Sequence, residues 1–268
     1  MSLSSILNAD FWTAKVVSCQ PLAGASGDSY GVQLENRQRF LLRRQNETLQ
    51  RLGAGREFEA DLLFSLQLLP FVPSVFHQGN DFLVQHWVEG EPLAQWNEPH
   101  LAQLALNLQQ LHHFSVLHSA EINTLPQLDL IRRIFSLLQQ LPSEQHGGWL
   151  MQLDQLTPFV ESEIQVIAHH DLHPHNIIVQ PDGSFKLLDW EYAAWSEPAL
   201  EMAFLLANNE LSQDQQRYLL QYYLQGNTLL QKEWAFGQAI ASYLPWVKLL
   251  NRLWWQVRQT LASESVAQ

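Results

Sequence analysis

The spacing of apolar residues changes near residue 88. Before this point, short alternating segments separated by turn residues predict β-strands, and residues 56–69 show the spacing of one amphipathic helix. After it, helical spacing predominates, apart from a predicted hairpin over 176–188. The pattern therefore predicts an α+β chain. Residues 1–87 would form a small antiparallel β-sheet part with one helix, and residues 88–268 a larger, mainly helical part.

The boundaries of these elements follow from the same pattern. The predicted strands of the first part lie at residues 15–18, 30–34, 40–43, 75–77 and 82–87. The predicted helices of the second part cover residues 98–114, 127–141, 144–162, 198–208, 212–225 and 230–260. Residues 88–92 are predicted to be a short connector between the two parts.

The composition is that of a globular protein. Of 268 residues, 46% are hydrophobic, and no apolar run approaches the roughly 20 residues needed to cross a bilayer. The N-terminal residues show no pattern typical of a secretory signal, so a cytoplasmic location without membrane contact is expected. Acidic residues outnumber basic ones 27 to 15, which argues against nucleic acid as a partner and would attract cationic ligands. No pattern indicates the oligomeric state.

One segment carries most of the chemical information. Residues 169–176 read His-His-Asp-Leu-His-Pro-His-Asn, and a second acidic residue, Asp189, ends the predicted hairpin that follows. A carboxylate on a loop can accept the proton of an attacking hydroxyl, which is the role predicted for Asp171. The oxygens of Asn176 and Asp189 are ligands that Mg²⁺ prefers. The spacing is therefore typical of phosphoryl transfer from ATP with magnesium.

The residue patterns of these segments resemble those of a known family. His169, Asp171 and Asn176 form an HxDxxxxN pattern, Asp-Trp-Glu follows at 189–191, and Ser-Glu-Pro-Ala-Leu-Glu-Met-Ala follows at 196–203. Together they are similar to the aminoglycoside phosphotransferase and choline kinase family, and to its thiamine kinase-like branch. The resemblance implies a two-lobed, protein-kinase-like fold. It also implies ATP and Mg²⁺ as cofactors and a hydroxyl of a small molecule as the phosphate acceptor.

The resemblance assigns roles to charged residues of the first part. Arg43 ends the third predicted strand, where the family places a basic residue on the α- and β-phosphates. Its neighbour Arg44 faces the other side of the strand, because side chains alternate. Glu59 on the following helix is expected to pair with Arg43, and Glu57 is the alternative.

Two further segments would complete a nucleotide site. The loop that carries Gly24, Gly27 and Ser29 could place backbone N–H groups against phosphates, although an ordinary hairpin turn would look the same. The segment from residue 85 to 88, including His86 and Val88, would be the hinge that meets the adenine.

Other interpretations of the histidine-rich segment remain open. Imidazoles bind zinc and iron, but Pro174 disfavours the helix that would bring pairs of them together. His169 is expected to orient the loop, and His173 to support Asp171 by a hydrogen bond. A non-catalytic pseudokinase that only binds nucleotide is the alternative to an enzyme.

The acceptor is the least constrained part of the prediction. Glu191 and Trp190 are expected to face it, because the resemblance places this acidic segment at the acceptor. Aromatic faces beside carboxylates attract organic cations, so thiamine is the first choice, choline or ethanolamine the second, and an aminoglycoside the third. Five tryptophans fall in segments that would line the acceptor cleft: Trp195, Trp234, Trp246, Trp254 and Trp255.

Overall fold

The computed structural model describes residues 1–22, 28–45, 47–54, 56–122, 125–160, 162–230 and 233–266. The helices are α1 Leu3–Leu7, α2 Glu47–Arg51, α3 Arg56–Ser65, α4 Glu98–Leu117, α5 Leu130–Leu138, α6 His146–Asp154, α7 Pro198–Asn208, α8 Gln213–Leu224 and α9 Glu233–Val266. The strands are β1 Val16–Pro21, β2 Ser29–Leu34, β3 Arg39–Arg44, β4 Val75–Gln78, β5 Phe82–His86, β6 Glu91–Pro92, β7 Val166–Ala168, β8 Ile177–Val179, β9 Phe185–Leu187 and β10 Ala194–Ser196.

The N-terminal lobe is built on a five-stranded antiparallel sheet in the order β1-β2-β3-β5-β4. Alternation along β3 places Phe40 and Leu42 on one face, where both are fully buried. That face carries its own core, to which α1 contributes Ile6. Arg43 points to the opposite face, towards the helical lobe. The sheet therefore separates an aromatic outer core from a charged inner face.

The inner face of the sheet is covered by α3, which packs into the core of the helical lobe. The buried residues Leu62 and Leu63 of α3, and Leu66 just after it, share one hydrophobic cluster with Leu104 of α4 and Leu187 of β9. Burying apolar area of this kind is the main favourable term in folding. The helix that links the two lobes is consequently part of the larger core.

The helical lobe has clear local start signals. The side chain of Asn97 caps α4 by accepting from the amide of His100 at 2.8 Å, and Pro99 lies in the first turn. Ser212 and Gln215 form a reciprocal capping box at the start of α8. In the packed lobe, α4 contacts α8 and α7 contacts α9.

Two short sheets position the chemically informative residues. β7 pairs with β10, and β8 lies between β6 and β9. The segment 169–176 connects β7 to β8, while Asp189 follows β9 and precedes a single 3-10 turn over 190–192. The loop with Asp171 and the loop with Asp189 therefore leave the same small β-structure and lie side by side.

The predicted α+β, two-lobed class is confirmed, and several element boundaries differ from the prediction. The helix predicted over 144–162 ends at Asp154, and the last helix continues to Val266. α1 and α2 were not predicted, and β6 forms within the predicted connector. The division at residues 87 and 88 stays a prediction. Over the described ranges, the helices lack the combination of length and apolar character that a bilayer span needs.

The outer core predicts a strong dependence on Phe40. Its ring lies 4.5 Å from that of Phe76 and 5.4 Å from that of Trp12, between centroids. Replacing Phe40 by alanine should lower the free energy of unfolding by about 3–5 kcal/mol, because it leaves a cavity in a packed core. Urea denaturation would measure this. Phe64→Ala on α3, where the side chain is 44% exposed, is the control. An equal loss in both variants would contradict this description of the core.

Candidate active site

Arg43 is the centre of a buried charged cluster. Its residue is only 4% exposed, and one guanidinium nitrogen, Nη1, donates to Oε1 of Glu59 on α3. The other, Nη2, donates to Oδ1 of Asp189 and, at 2.9 Å, to Oε2 of Glu191. The amide of Trp190 also donates to Oε1 of Glu59 at 3.3 Å. The cluster thus joins β3, α3 and the segment after β9.

The charge of Arg43 is maintained by these carboxylates. Burial alone would lower the pKa of the guanidinium, but the negative charges of Asp189, Glu59 and Glu191 raise the pKa above its ordinary value. A buried cation is tolerated only when it is paired and hydrogen-bonded in this way. The pairing of Arg43 with Glu59 is the one expected from the sequence, whereas the side chain of Glu57 lies outside the described part. Arg44 points to the other face and reaches the carbonyl of Met1 at 3.4 Å.

Asp171 and Asn176 are held together beside this cluster. Nδ2 of Asn176 donates to the backbone oxygen and to Oδ2 of Asp171, both at 2.9 Å. No described residue donates to Oδ1 of Asn176, so that oxygen can meet a ligand. Nε2 of His173 lies 3.6 Å from Oδ2 of Asp171, which is too long for the predicted hydrogen bond. The two side chains are neighbours without that hydrogen bond.

The Asp171 loop and the Asp189 loop are connected through His169. Its Nε2 lies 2.9 Å from the carbonyl oxygen of Leu188, and its Nδ1 accepts from the amide of Asp171 at 3.3 Å. Burial lowers the pKa of this imidazole. The two partners require a neutral ring that is protonated on Nε2. His169 therefore orients both loops, as its position in the sequence suggested.

Two residues of these loops adopt left-handed backbone conformations. His170 has φ of 63° and Asp189 has φ of 66°. Among the described non-glycine residues only Arg37, in the turn between β2 and β3, shares this feature. Such conformations cost free energy and persist where surrounding contacts enforce them, often at functional sites. Here they direct Asp171 and Asp189 into the cleft.

Glu201 on α7 stabilises the left-handed backbone conformation of His170. Its side chain is almost fully buried, and Oε2 accepts from the amide of His170 at 2.9 Å. Burial raises the pKa of Glu201 to about 7 and lowers that of His170 to about 3. The ring of His170 packs 4.9 Å from Phe204 and meets the carbonyl of Tyr192 at 3.2 Å. The loop that carries Asp171 consequently rests on a neutral imidazole and a carboxyl that is partly protonated near pH 7.

Tyr192 and Trp254 form an aromatic wall close to Asp171. Nε1 of Trp254 donates to the hydroxyl of Tyr192 at 3.2 Å, and both side chains are partly exposed. The pKa of Tyr192 is raised, first by burial and then by the charge of Glu191, with a smaller contribution from Asp171. The sequence pattern indicated Trp254 but not Tyr192, although Tyr192 lies only three residues after Asp189.

The prediction that Trp190 faces the acceptor is wrong, and Glu191 lies in the charged cluster instead. Trp190 is 1% exposed, donates from Nε1 to the carbonyl of Leu187 at 2.7 Å, and packs against His169. The left-handed turn at Asp189 sends its ring into the core. Glu191 is 5% exposed and pairs with Arg43. It belongs to the charged cluster.

The other candidate tryptophans are not part of this wall. Trp246 and Trp195 donate from Nε1 to the carbonyls of Thr157 and Ile122, respectively, each at 2.9 Å. Trp234 is 72% exposed on the first turn of α9. Trp255 is 55% exposed and packs at right angles against Trp254.

The residues predicted to meet the nucleotide are only partly described. Gly24 and Gly27 lie outside the described residues, whereas Ser29 pairs directly with Arg43 across the β2–β3 ladder. The amides of His86 and Trp87 donate to the carbonyls of Ser74 and Arg39.

The hinge segment has one amide left for a ligand. The amide of Val88 has no hydrogen-bond partner among the described residues. The ring of His86 packs against Phe40 and Phe76 on the outer face of the sheet. Its side chain therefore lies away from the cleft, and Val88 is the better candidate for the adenine contact.

Residues 18–240 match the phosphotransferase enzyme family. The chain belongs to this family. It is 28% identical over 244 residues to a thiamine kinase of Escherichia coli O17:K52:H18, a match that covers 88% of this chain and 81% of the relative. Its fold is similar to that of choline kinase LicA from Streptococcus pneumoniae, with a TM-score of 0.72, 18% identity, and coverage of 92% and 86% of the two chains.

A third comparison concerns a ternary complex. The ternary complex of APH(2")-IIa with streptomycin and ATP gives a TM-score of 0.62 at 16% identity, covering 94% of this chain and 90% of that one. Together these findings confirm the predicted protein-kinase-like fold. They also identify the family member described here as a small-molecule kinase that phosphorylates an alcohol group.

Glu201 predicts a distinct pH dependence. Its pKa of about 7 in the folded protein exceeds the ordinary value of 4.5. The folded state therefore keeps a proton that the unfolded chain releases, and this contribution to stability is complete below pH 4.5 and lost as pH rises through 7. Relative to wild type, Glu201→Gln should gain about 3 kcal/mol between pH 4.5 and pH 8.

Chemical denaturation of both proteins at the two pH values would test this prediction. The buried histidines titrate in both proteins, so their effect cancels in the difference. Glu210→Gln, which changes an exposed carboxylate two residues after the end of α7, is the control. A stability difference between Glu201→Gln and wild type that does not change with pH would show that Glu201 is ionised in the folded state.

Proposed function

We propose that this protein transfers the γ-phosphoryl group of ATP to the hydroxyl of a small cationic alcohol, with thiamine as the first candidate. The observation that carries the proposal is the position of Asp171, fixed by Asn176 and placed beside the Arg43–Asp189 cluster. The thiamine kinase relative supports the choice of acceptor. Choline and ethanolamine are the alternatives, because the structural neighbours include a choline kinase and an ethanolamine kinase.

Asp171 has the role of general base in this proposal. Its carboxylate accepts the proton of the acceptor hydroxyl as that oxygen forms a bond to the γ-phosphorus of ATP. The bond between the γ-phosphorus and the bridging oxygen breaks, and ADP leaves. The amide of Asn176 holds Oδ2 of Asp171 at 2.9 Å, which fixes the direction of the carboxylate. In this proposal Arg43 orients Asp189, to which its Nη2 donates, and offsets part of the negative charge around the phosphate site.

The donor set at this site fits magnesium. The carboxylate of Asp189, whose side chain is 33% exposed, and Oδ1 of Asn176 are hard oxygen ligands. The amide of Asn176 is oriented by its two bonds to Asp171, so its oxygen points away from that residue. When bound, Mg²⁺ would neutralise charge on the phosphate oxygens.

The aromatic wall favours a cationic acceptor and limits the side from which it can bind. Aromatic faces attract quaternary nitrogens, and the carboxylate of Asp171 adds negative charge nearby. One face of Tyr192 already meets Arg133, whose Cζ lies 5.3 Å from the ring centre. Arg258 lies 5.5 Å from Trp254. An acceptor cation would therefore use the remaining face of a ring. An aminoglycoside with several ammonium groups fits these arginines less well.

The first test removes the base. Asp171→Asn should lower kcat by about 10³-fold or more, because general base catalysis is lost. Binding of AMP-PNP with Mg²⁺ should stay close to wild type, because the Arg43 cluster is intact. ADP release with thiamine, choline, ethanolamine and kanamycin, together with calorimetry, would measure both. His175→Gln, with an exposed side chain in the same loop, is the control. A variant Asp171→Asn with wild-type kcat would exclude this residue as the base.

The second test addresses the acceptor wall. Trp254→Leu should raise KM for thiamine about 10-fold, because an aromatic face is lost from the acceptor site. KM for ATP should change less than twofold. Trp234→Leu, on the same helix and 72% exposed, should leave both constants unchanged, and thermal melting would confirm that the variants are folded. A selective rise in KM for ATP would place Trp254 on the nucleotide side.

A further inference from the structure

The segment between β3 and α3 is docked on the helical lobe. This segment, residues 47–54, consists of α2 and the turn that follows it. Leu52 is 1% exposed and lies in the large core. Nε of Arg51 donates to Gln140 at 2.9 Å, just beyond α5, and Nη1 of Arg51 lies 3.4 Å from a carboxylate oxygen of Glu264 on α9. A piece of the nucleotide lobe therefore contacts the lobe that holds the acceptor wall.

Arg133 on α5 makes the most specific contact with this segment. Its Nη1 donates to the carbonyl of Gly53, and its Nη2 donates to that of Leu52 at 2.7 Å. Gly53 has φ of 82°, and a Cβ at this position would lie 1.8 Å from Nη1 of Arg133. A side chain at residue 53 would be strained by the left-handed backbone conformation and would displace the guanidinium from its present position. The contact in this geometry therefore depends on glycine.

The other side of the same guanidinium covers Tyr192. Arg133 lies 5.3 Å over its ring, and Tyr192 is joined to Trp254 by a hydrogen bond. No described carboxylate forms an ion pair with Arg133, and burial lowers the pKa of its guanidinium. A partly buried cation without a carboxylate is costly, whereas an apolar side chain would fill the same space at lower cost. An arginine here indicates a role beyond packing.

We propose that Arg133 is a positioning residue that couples the acceptor wall, through Tyr192, to the nucleotide side, through the Leu52–Gly53 carbonyls. The inference rests on the proposed function, because it takes the surface beside Tyr192 as the acceptor site. Gly53 lies six residues before Glu59, which holds Arg43. Leu52 shares one hydrophobic cluster with Leu62 and Leu63 of α3, so the segment held by Arg133 and the helix that carries Glu59 pack in the same core.

This arrangement predicts that the two substrates assist each other. An acceptor that packs on Tyr192 restrains its ring, and the ring supports the guanidinium that holds the segment leading into α3. Nucleotide binding at Arg43 favours the same position of α3. Because such coupling is reciprocal, each ligand should raise the affinity for the other by the same factor, typically about 5-fold or more.

The experiment compares four variants of the full chain with wild type: Arg133→Met, Arg133→Lys, Gly53→Ala and the double variant Gly53→Ala/Arg133→Met. Arg132→Met, with an exposed side chain one residue earlier on α5, is the matched control. The dissociation constant of AMP-PNP with Mg²⁺ is measured by calorimetry with and without saturating thiamine. Steady-state ADP release gives kcat and KM, and thermal melting confirms folding.

In wild type and Arg132→Met, thiamine should tighten AMP-PNP binding about 5-fold or more. In Arg133→Met this factor should fall to about one, KM for thiamine should rise about 10-fold, and kcat should change less. Arg133→Lys, which keeps the charge but not the two-pronged geometry, should restore part of the coupling. Gly53→Ala should also lose coupling and add little to Arg133→Met, because both break one contact. Wild-type coupling in Arg133→Met would overturn the proposal, and so would additive effects in the double variant.

The same measurements distinguish a failure of this inference from a failure of the proposed function. If wild type phosphorylates neither thiamine nor choline, the proposed acceptor class fails. The Arg133 inference is then decided on the nucleotide side alone. AMP-PNP binding about 5-fold weaker in Arg133→Met than in Arg132→Met would support the role of the Arg133 contact with the segment that leads into α3. Equal AMP-PNP binding in these two variants would overturn it.

Discussion

The buried guanidinium of Arg43 is the interaction on which the cleft depends. A cation with 4% exposure must have its charge and its donors satisfied. Arg43 achieves this through Glu59 of α3 and through Asp189 and Glu191 after β9. These segments are far apart in the sequence, so the requirement brings the sheet, α3 and the loop that carries Asp189 to one place. A lysine has one charged nitrogen at its tip and could not serve three carboxylates with the same geometry.

The loop that carries Asp171 rests on buried groups whose charge is suppressed. Burial lowers the pKa of His169 and His170, so both rings are neutral, and it raises the pKa of Glu201 to about 7, so this carboxyl is partly protonated near pH 7. The groups beneath the loop thus carry less charge than they would in water, whereas Asp171 and Asp189 lie in the cleft. This separation keeps strong fields where a phosphate and its counter-ion would sit, and it avoids repulsion inside the support.

Much of this organisation could be predicted from the sequence, because local patterns encode it. The alternation of β3 indicated which arginine faces the cleft, and the spacing of Asp171 and Asn176 matched a hydrogen-bonded pair. Trp190 was placed wrongly, because the left-handed conformation of Asp189, which has no signal in residue type, turns the ring inward. Glu201 looked like an ordinary helix carboxylate, since burial is set by packing that periodicity does not reveal.

The interlobe contacts were beyond sequence reasoning for a related reason. Arg133 and Gly53 are 80 residues apart, and neither lies in a recognisable motif. α2 is a single short turn of helix, which propensity alone does not predict. Its position depends on carbonyl groups at its end that meet a side chain from α5. Pairings of this kind arise from the three-dimensional fit of two lobes.

The membership of α3 in the large core determines how the lobes can move. Leu62, Leu63 and Leu66 are anchored among the residues of the helical lobe, whereas the outer face of the sheet has a separate core around Phe40. Displacing α3 as a whole from the helical lobe would expose buried leucines, so substrate entry would combine small shifts of α3 within this core with a shear of the five strands across it. Such a movement of β3 would carry Arg43 past Glu59, so the ion pair between them would oppose opening of the cleft.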